Sequence, residues 1–301
     1  MSTPTRLLLL PVIALALVAC STSGGVASAP PTAAPSGSPS TEPSPSIAGI
    51  EHPTGAKDIV LRYENGGGFV APGWLATETP IFTLYGDGTI VFRNPATEAP
   101  QAVGSVFPQN PMRTAKLTED QIQDLLEFAL NDGGLGIAKA KYENGMVADA
   151  PTATFTVNAG GLQKTVTVYA LGMDVDPNNA ADAPARAAFQ KLADRLADFD
   201  QGGTIATDVY QPAAYRGILM DGQVAPDQIA WPWTDLQPAD FAFPADANAF
   251  QMGTHVLTPA QVDATGVKDP QGGFQGLVIS SPDKAKIYNL SLRPLLPDET
   301  E

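Results

Sequence analysis

The sequence predicts an α+β fold of antiparallel β-hairpins and two main α-helices, with a second half rich in loops and strands. Three observations carry that reading. Apolar and polar residues alternate on both sides of Asp87-Gly88 and again around Asn158–Gly161, as in hairpins closed by short glycine turns. Two segments, Leu117–Gly134 and Ala183–Phe199, place apolar residues at helical spacing. The strands are spaced too irregularly relative to these helices for a βαβ array.

Two segments of other character come first. Arg6 precedes Leu7–Ala19, a run of 13 residues without a charge. That falls short of the ~20 apolar residues needed to cross a hydrocarbon core, but it has the size of a signal-peptide h-region. No later stretch approaches ~18 uninterrupted apolar residues, so no transmembrane helix is expected elsewhere. Cys20, the only cysteine in 301 residues, closes the run. Leu17-Val18-Ala19-Cys20 resembles the lipobox of bacterial lipoproteins. The resemblance implies diacylglycerol on the Cys20 sulfur through a thioether, cleavage between Ala19 and Cys20, and acylation, as with palmitate, of the amino group so freed. Two or three chains make a durable anchor where one binds marginally. The competing reading is an ordinary secretory peptide in which Cys20 is incidental. With Cys20 lipidated, neither a disulfide nor a catalytic thiol remains, and the exported domain must stand on its hydrophobic core. Ser21–Ser46 consists almost wholly of Ser, Thr, Pro, Gly and Ala, with Glu42 its one charge. Such a segment cannot bury enough apolar surface to order itself, and its prolines stiffen it into a spacer of up to about 80 Å. The division expected is signal peptide 1–19, lipidated cysteine and linker 20–49, an α+β domain or subdomain 50–205 and a β-rich subdomain 206–301.

Within the globular part, Asp58–Tyr63 has strand character and the glycine-rich "ENGGGF" follows as a loop. Pro80–Arg93 reads as a hairpin, with Asp87 and Gly88 supplying the positive φ of a type I′ turn. Thr118 and Gln121 form a capping box ahead of Ile122, Leu125, Leu126 and Ala129, and Gly133 stops that helix. Thr152–Leu171 gives the second hairpin. Pro184 sits in the first turn of the next helix, whose apolar face carries Ala188, Leu192, Leu196 and Phe199. A strand near Tyr215–Met220, a short helix starting at Thr258-Pro259 and a last hairpin over Gly276–Pro294 complete the chain.

The segments "GGGFV", "PIFTLYGDGTIVFR", "VADAPTATFTV", "VTVYALG" and "LRPLLPDE" resemble a family of uncharacterised secreted lipoproteins of actinobacterial type, along most of residues 58–298. The resemblance implies export and an anchor; it brings no activity and no catalytic residues.

The net charge of −15 argues against nucleic acid and against direct contact with anionic lipid heads, both of which demand a basic face. "DVDPNN", Asp174–Asn179, begins like a calcium loop, but Asn179 stands where glycine belongs and Ala185 where the twelfth-position glutamate belongs. His52 and His255 are the only histidines, so no zinc site or Ser-His-Asp triad is expected. Ser105 lacks a nucleophile elbow. Gly66–Ala71 imitates a dinucleotide fingerprint, but Pro72 follows and no helix is expected to start there. Trp231, Trp233, Phe241 and Phe243, punctuated by prolines, either line a shallow groove for sugar rings or a Pro-rich peptide, or plug the core of a loop-rich half. The role expected is a non-catalytic binding or structural domain without a cofactor. Cys20 anchors it to the extracytoplasmic face of the cell membrane, where its partner is an envelope protein or glycan. The alternative is a carboxylate-dependent cell-envelope hydrolase.

Overall fold

The computed structural model describes residues 49–93, 100–200, 205–246 and 249–299. Cys20, the h-region and the spacer lie outside the described residues. From Ile47 onward the chain clusters as one compact unit.

The first half gives β1 (Ile59–Gly66), the single turn α1 (Pro72–Leu75), β2 (Phe82–Tyr85), β3 (Thr89–Phe92), β4 (Phe107–Pro108) and β5 (Arg113–Lys116). Then come α2 (Glu119–Leu130), β6 (Lys141–Tyr142), β7 (Thr152–Ala159), β8 (Leu162–Tyr169) and α3 (Ala183–Ala197). The remainder gives β9 (Asp208–Val209), β10 (Tyr215–Asp221), β11 (Met252–Leu257), α4 (Pro259–Asp263), β12 (Phe274–Ser280) and β13 (Ile287–Pro294). Eight strands form one sheet in the order β6-β8-β7-β1-β2-β3-β5-β9, and five form a second in the order β11-β10-β13-β12-β4. Every neighbouring pair is antiparallel except β6 with β8. The fold is α+β.

The two turns differ in kind. Gly160 and Gly161 have φ of 60° and 77°, and Ala159 faces Leu162, so β7 and β8 are closed by a two-residue I′ turn. At Asp87-Gly88 the expected I′ turn is absent. Only Gly88 has positive φ, 85°, and its N–H donates to the Tyr85 carbonyl at 2.9 Å. The loop is one residue longer than I′ geometry allows, and Asp87 uses its carboxylate to accept from Thr89 N–H at 2.9 Å.

Thr118 caps α2 in a full capping box with Gln121, and Ile122, Leu125, Leu126 and Ala129 are buried along one side. Thr118→Ala should cost about 1 kcal/mol, read as a lower urea midpoint with an unchanged slope. The helix ends at Leu130, and the left-handed residue that turns the chain is Gly134, φ 77°, rather than Gly133. The buried face of α3 is Phe189, Leu192, Ala193 and Leu196. Ala188 is half-buried. Phe199 lies beyond the helix and packs on Phe82 and Phe92, at 4.9 and 5.8 Å between ring centres. One further expectation fails: a single helical turn does start at Pro72, because proline at the first helical position sacrifices no hydrogen bond.

Both helices cover one face of the first sheet, where Phe82, Leu84, Ile90, Phe92, Phe155 and Val157 meet them in the main core. β2 and β3 are buried on both faces, however. Tyr85 and Val91 point the other way, into a small cluster closed by Met112 and Leu296. The second sheet has its own core, with Tyr215, Leu219, Phe274, Ile279, Leu290 and Leu292 packed under Trp233, Leu236 and Phe241.

Candidate functional site

The C-terminal segment after β13 ties the two sheets together. Asp298 accepts a hydrogen bond from Arg62 Nη2 at 2.7 Å and from the Tyr85 hydroxyl at 2.5 Å, both from the first sheet. Arg293 of β13 grips Glu299 through both terminal nitrogens, at 2.8 and 2.7 Å, and Glu299 also accepts from Leu296 N–H at 2.8 Å. The Tyr210 hydroxyl donates to the Leu295 carbonyl at 2.9 Å. Burial tends to raise the Asp298 pKa, but the bonds from Arg62 and Tyr85 outweigh it and hold the carboxyl below the usual range. Burial pushes Tyr210 up to about 12, helped by Glu299 and Asp298. The "LRPLLPDE" segment is therefore a structural latch: Arg293, Asp298 and Glu299 spend their charges on one another and on the first sheet.

Where the sheets meet on another side, a cavity of about 610 Å³ is lined by Trp74, Arg93, Pro100, Phe107, Pro108, Gln109, Asn110 and Gln275. Each wall has a local reason to be there. Trp74 stands on α1, and the Thr77 hydroxyl donates to its carbonyl at 2.8 Å. Gln275 Nε2 of β12 donates to that same hydroxyl at 2.6 Å, fixing α1 to the second sheet. Phe107 and Pro108 form β4, which pairs with Phe274 and Gln275. The tight loop before β4 bridges Val103 to Val106 and is pinned by Asp227, which accepts from Ser105 N–H at 2.6 Å and Oγ–H at 2.9 Å.

Arg93 follows β3 directly and supplies the one charged side chain among the described residues that line the cavity. Its Nη1 donates to Gln109 Oε1 at 2.7 Å and its Nη2 to the Gly272 carbonyl at 2.8 Å. Its Nε is buried and has no partner among the described residues. Burial alone pulls this guanidinium down to about 10. Gly272 is where Arg93 needs a close backbone approach: a Cβ there would stand 2.0 Å from the Gln109 carbonyl oxygen. Gly272→Ala should therefore push β4 and Gln109 away from Arg93, detected as lost protection from hydrogen exchange at Gln109 N–H, which now donates to Gly273 O at 2.9 Å.

The rim is apolar and open. Trp74 is 51% exposed, Phe107 59% and Val103 72%. Phe69, Val70 and Leu75, all exposed, extend this surface along the segment that carries Trp74.

The four aromatics singled out from sequence do not form a groove. Trp233 and Phe241 are 5% and 1% exposed, inside the second core. Trp231 is half-buried against them, 5.1 Å from Trp233 and 6.3 Å from Phe241. Both indole N–H groups are used internally, Trp231 to the Leu236 carbonyl and Trp233 to the Gln261 carbonyl, each at 2.7 Å. Phe243 is 36% exposed and lies over Gly253. The buried rings of Trp233 and Phe241 have no face left for a ligand.

The other sequence candidates have structural employment. Asp176 caps the 3-10 turn Pro177–Asp182 through Asn178 N–H at 2.8 Å and also accepts from Gly145 N–H at 3.1 Å. His52 bridges the Pro53 carbonyl and Glu119. His255 contacts the Asp240 carbonyl and the Phe241 ring. A second groove, about 370 Å³, runs between α2 and α3 and is lined by Asp124, Asp194, Arg195 and Asp198. Among the described residues no group of three or more His, Cys, Asp or Glu is placed to hold a metal. No described helix is long and apolar enough to cross a membrane. No family model, curated protein or solved structure matches the chain.

Sequence reasoning missed Arg93, Trp74 and Phe107. One signal was available: Phe69, Val70, Trp74 and Leu75 fall in a glycine- and proline-punctuated loop, where apolar side chains have no strand or helix face to bury.

Proposed function

We propose that this chain is an extracytoplasmic lipoprotein, anchored through Cys20, whose globular part binds a ligand in the Arg93 cavity rather than transforming it. The observation that carries the reading is Leu17-Val18-Ala19-Cys20 at the end of an uncharged h-region, in a chain with no other cysteine. The binding half rests on a cavity of ligand size whose described lining has apolar walls and one charge. Ser21–Ser46 would hold that cavity clear of the membrane surface. In the host, the chain should partition into the detergent phase, and Cys20→Ala should move it to the aqueous phase. The urea midpoint of the mutant should not change, since the Ser21–Ser46 spacer is expected to separate the anchor from the globular part. Aqueous partition of the wild type would refute the anchor.

The second reading, a carboxylate-dependent hydrolase of the envelope, is favoured by Asp124, Asp194 and Asp198 on one groove. Its test is hydrolysis of cell-wall polymer by the wild type and by Asp124→Asn and Asp194→Asn. Activity lost in both variants with folding intact would establish it.

A further inference from the structure

Three other guanidinium groups among the described residues have their charge answered or spread, whereas Arg113 donates only to the neutral oxygens of Thr207. Arg62 pairs with Asp298 at 2.7 Å and Arg293 with Glu299 at 2.7 Å. Arg195 lies 4.2 Å over the Phe128 ring. Arg186 also has a buried nitrogen without a partner, but it donates to the Tyr169 and Ala170 carbonyls and feels Asp182 nearby. Among the described residues Arg93 meets two neutral oxygens and no carboxylate, and of these two guanidiniums it is the one that lines a cavity.

A guanidinium carries five N–H donors in a planar fork, and two are occupied here. Holding such a charge against tryptophan, phenylalanine and proline without a counter-ion is unfavourable, and an anion entering from the cavity would relieve it. One cation neutralises one negative charge, so a phosphate dianion would arrive over-charged for this site, whereas a carboxylate matches it in charge and in planar geometry. The walls set the other half of the ligand. Trp74, Pro100, Phe107 and Pro108 offer apolar surface, while Gln109 and Gln275 are engaged with Arg93 and Thr77 and act as props. The net charge of the chain is strongly negative, so its general field repels anions, and selection must come from this half-buried cation.

We propose that the cavity binds a monoanionic organic acid, its carboxylate on Arg93 and its apolar or aromatic body between Trp74 and Phe107. This rests on the binding-domain reading above and names the ligand class for it. Two sources share the chemistry: a free small acid, or the terminal carboxylate of a peptide ending in an apolar residue.

The test is calorimetric titration of the full chain at neutral pH with four probes: phenylpropionate, its primary amide, and Gly-Gly-Phe with a free or an amidated terminus. At least one free acid should bind about tenfold or more tighter than its amide. Arg93→Gln should erase that preference. Phe107→Ala, at an exposed position that does not endanger folding, should weaken acid and amide by the same factor. Phenylpropionate binding assigns the ligand as a small acid; binding of the peptide acid alone assigns it as a chain terminus; either supports the proposal. Equal binding of acid and amide would overturn the ligand class and leave the cavity standing as a binding site. No binding of any probe to folded chain at millimolar concentration would overturn the proposal together with the cavity's role, while the anchor keeps its own test in detergent partition.

Discussion

An Asp298→Ala chain is expected to lose about 3 kcal/mol of stability, the lower end of the cost of breaking a buried ion pair. The lower end applies because Arg62 and Asp298 side chains retain 12% and 15% exposure. The loss has two parts. Arg62 keeps only its 3.1 Å bond to the Thr83 hydroxyl, and the Tyr85 hydroxyl, on a residue with no exposed surface, loses its acceptor. The pH dependence follows in sign. A carboxyl whose folded pKa lies below its unfolded value contributes stability that is complete above the unfolded pKa and lost as pH falls through the folded one. The wild type should therefore shed this contribution as pH falls from the ordinary carboxylate range through the lower folded value. Glu64, which burial pushes up, acts in the opposite direction in both chains, since its protonation favours the folded state. Urea unfolding followed by circular dichroism across that range should give a shallower acid limb for the mutant. Parallel limbs would show that Asp298 does not titrate with folding.

Phe155→Ala should be at least as damaging, at about 3–5 kcal/mol. Phe155 has no exposed surface and lies between Tyr63 at 4.9 Å and Phe189 at 5.9 Å. Its ring joins β1, β7 and α3, so its removal leaves a cavity that a rigid sheet cannot close by shifting. Burial, helped by the charge of Asp194, pushes the Tyr63 hydroxyl up to about 12. Thermal unfolding should show a large fall in melting temperature with no change in the native far-ultraviolet spectrum. A loss below about 1 kcal/mol would mean that the helices do not rest on this face.

Much of this architecture is legible in the sequence, because it depends on local rules. The Gly160-Gly161 turn, the Thr118 capping box, the start of α4 at Thr258-Pro259 and the apolar faces of β7 and α2 follow from backbone preferences and periodicity within a few residues. β5, reading Arg-Thr-Ala-Lys, has no apolar alternation and exists because β3 and β9 pair with it. β4 and β9, two residues each, are equally silent. The cavity was the hardest to foresee. Arg93 meets Gly272 across 179 positions, and Gln275 meets Thr77 across 198, separations at which no spacing rule operates. Conversely, the crowded aromatics and prolines of the Trp231–Phe243 segment allow either a groove or a core plug in the sequence, and the structure places Trp233 and Phe241 inside the second core.

The central claim is that the chain is held at the membrane by lipid on Cys20, and intact mass with sequencing of the N-terminal peptide from the native host tests it most directly. The mature chain should begin at Cys20 and carry the mass of a thioether-linked diacylglycerol, with or without a further acyl chain on the amino group. An unmodified Cys20, or a mature chain starting well beyond it, would contradict the anchor and leave a plain secreted protein.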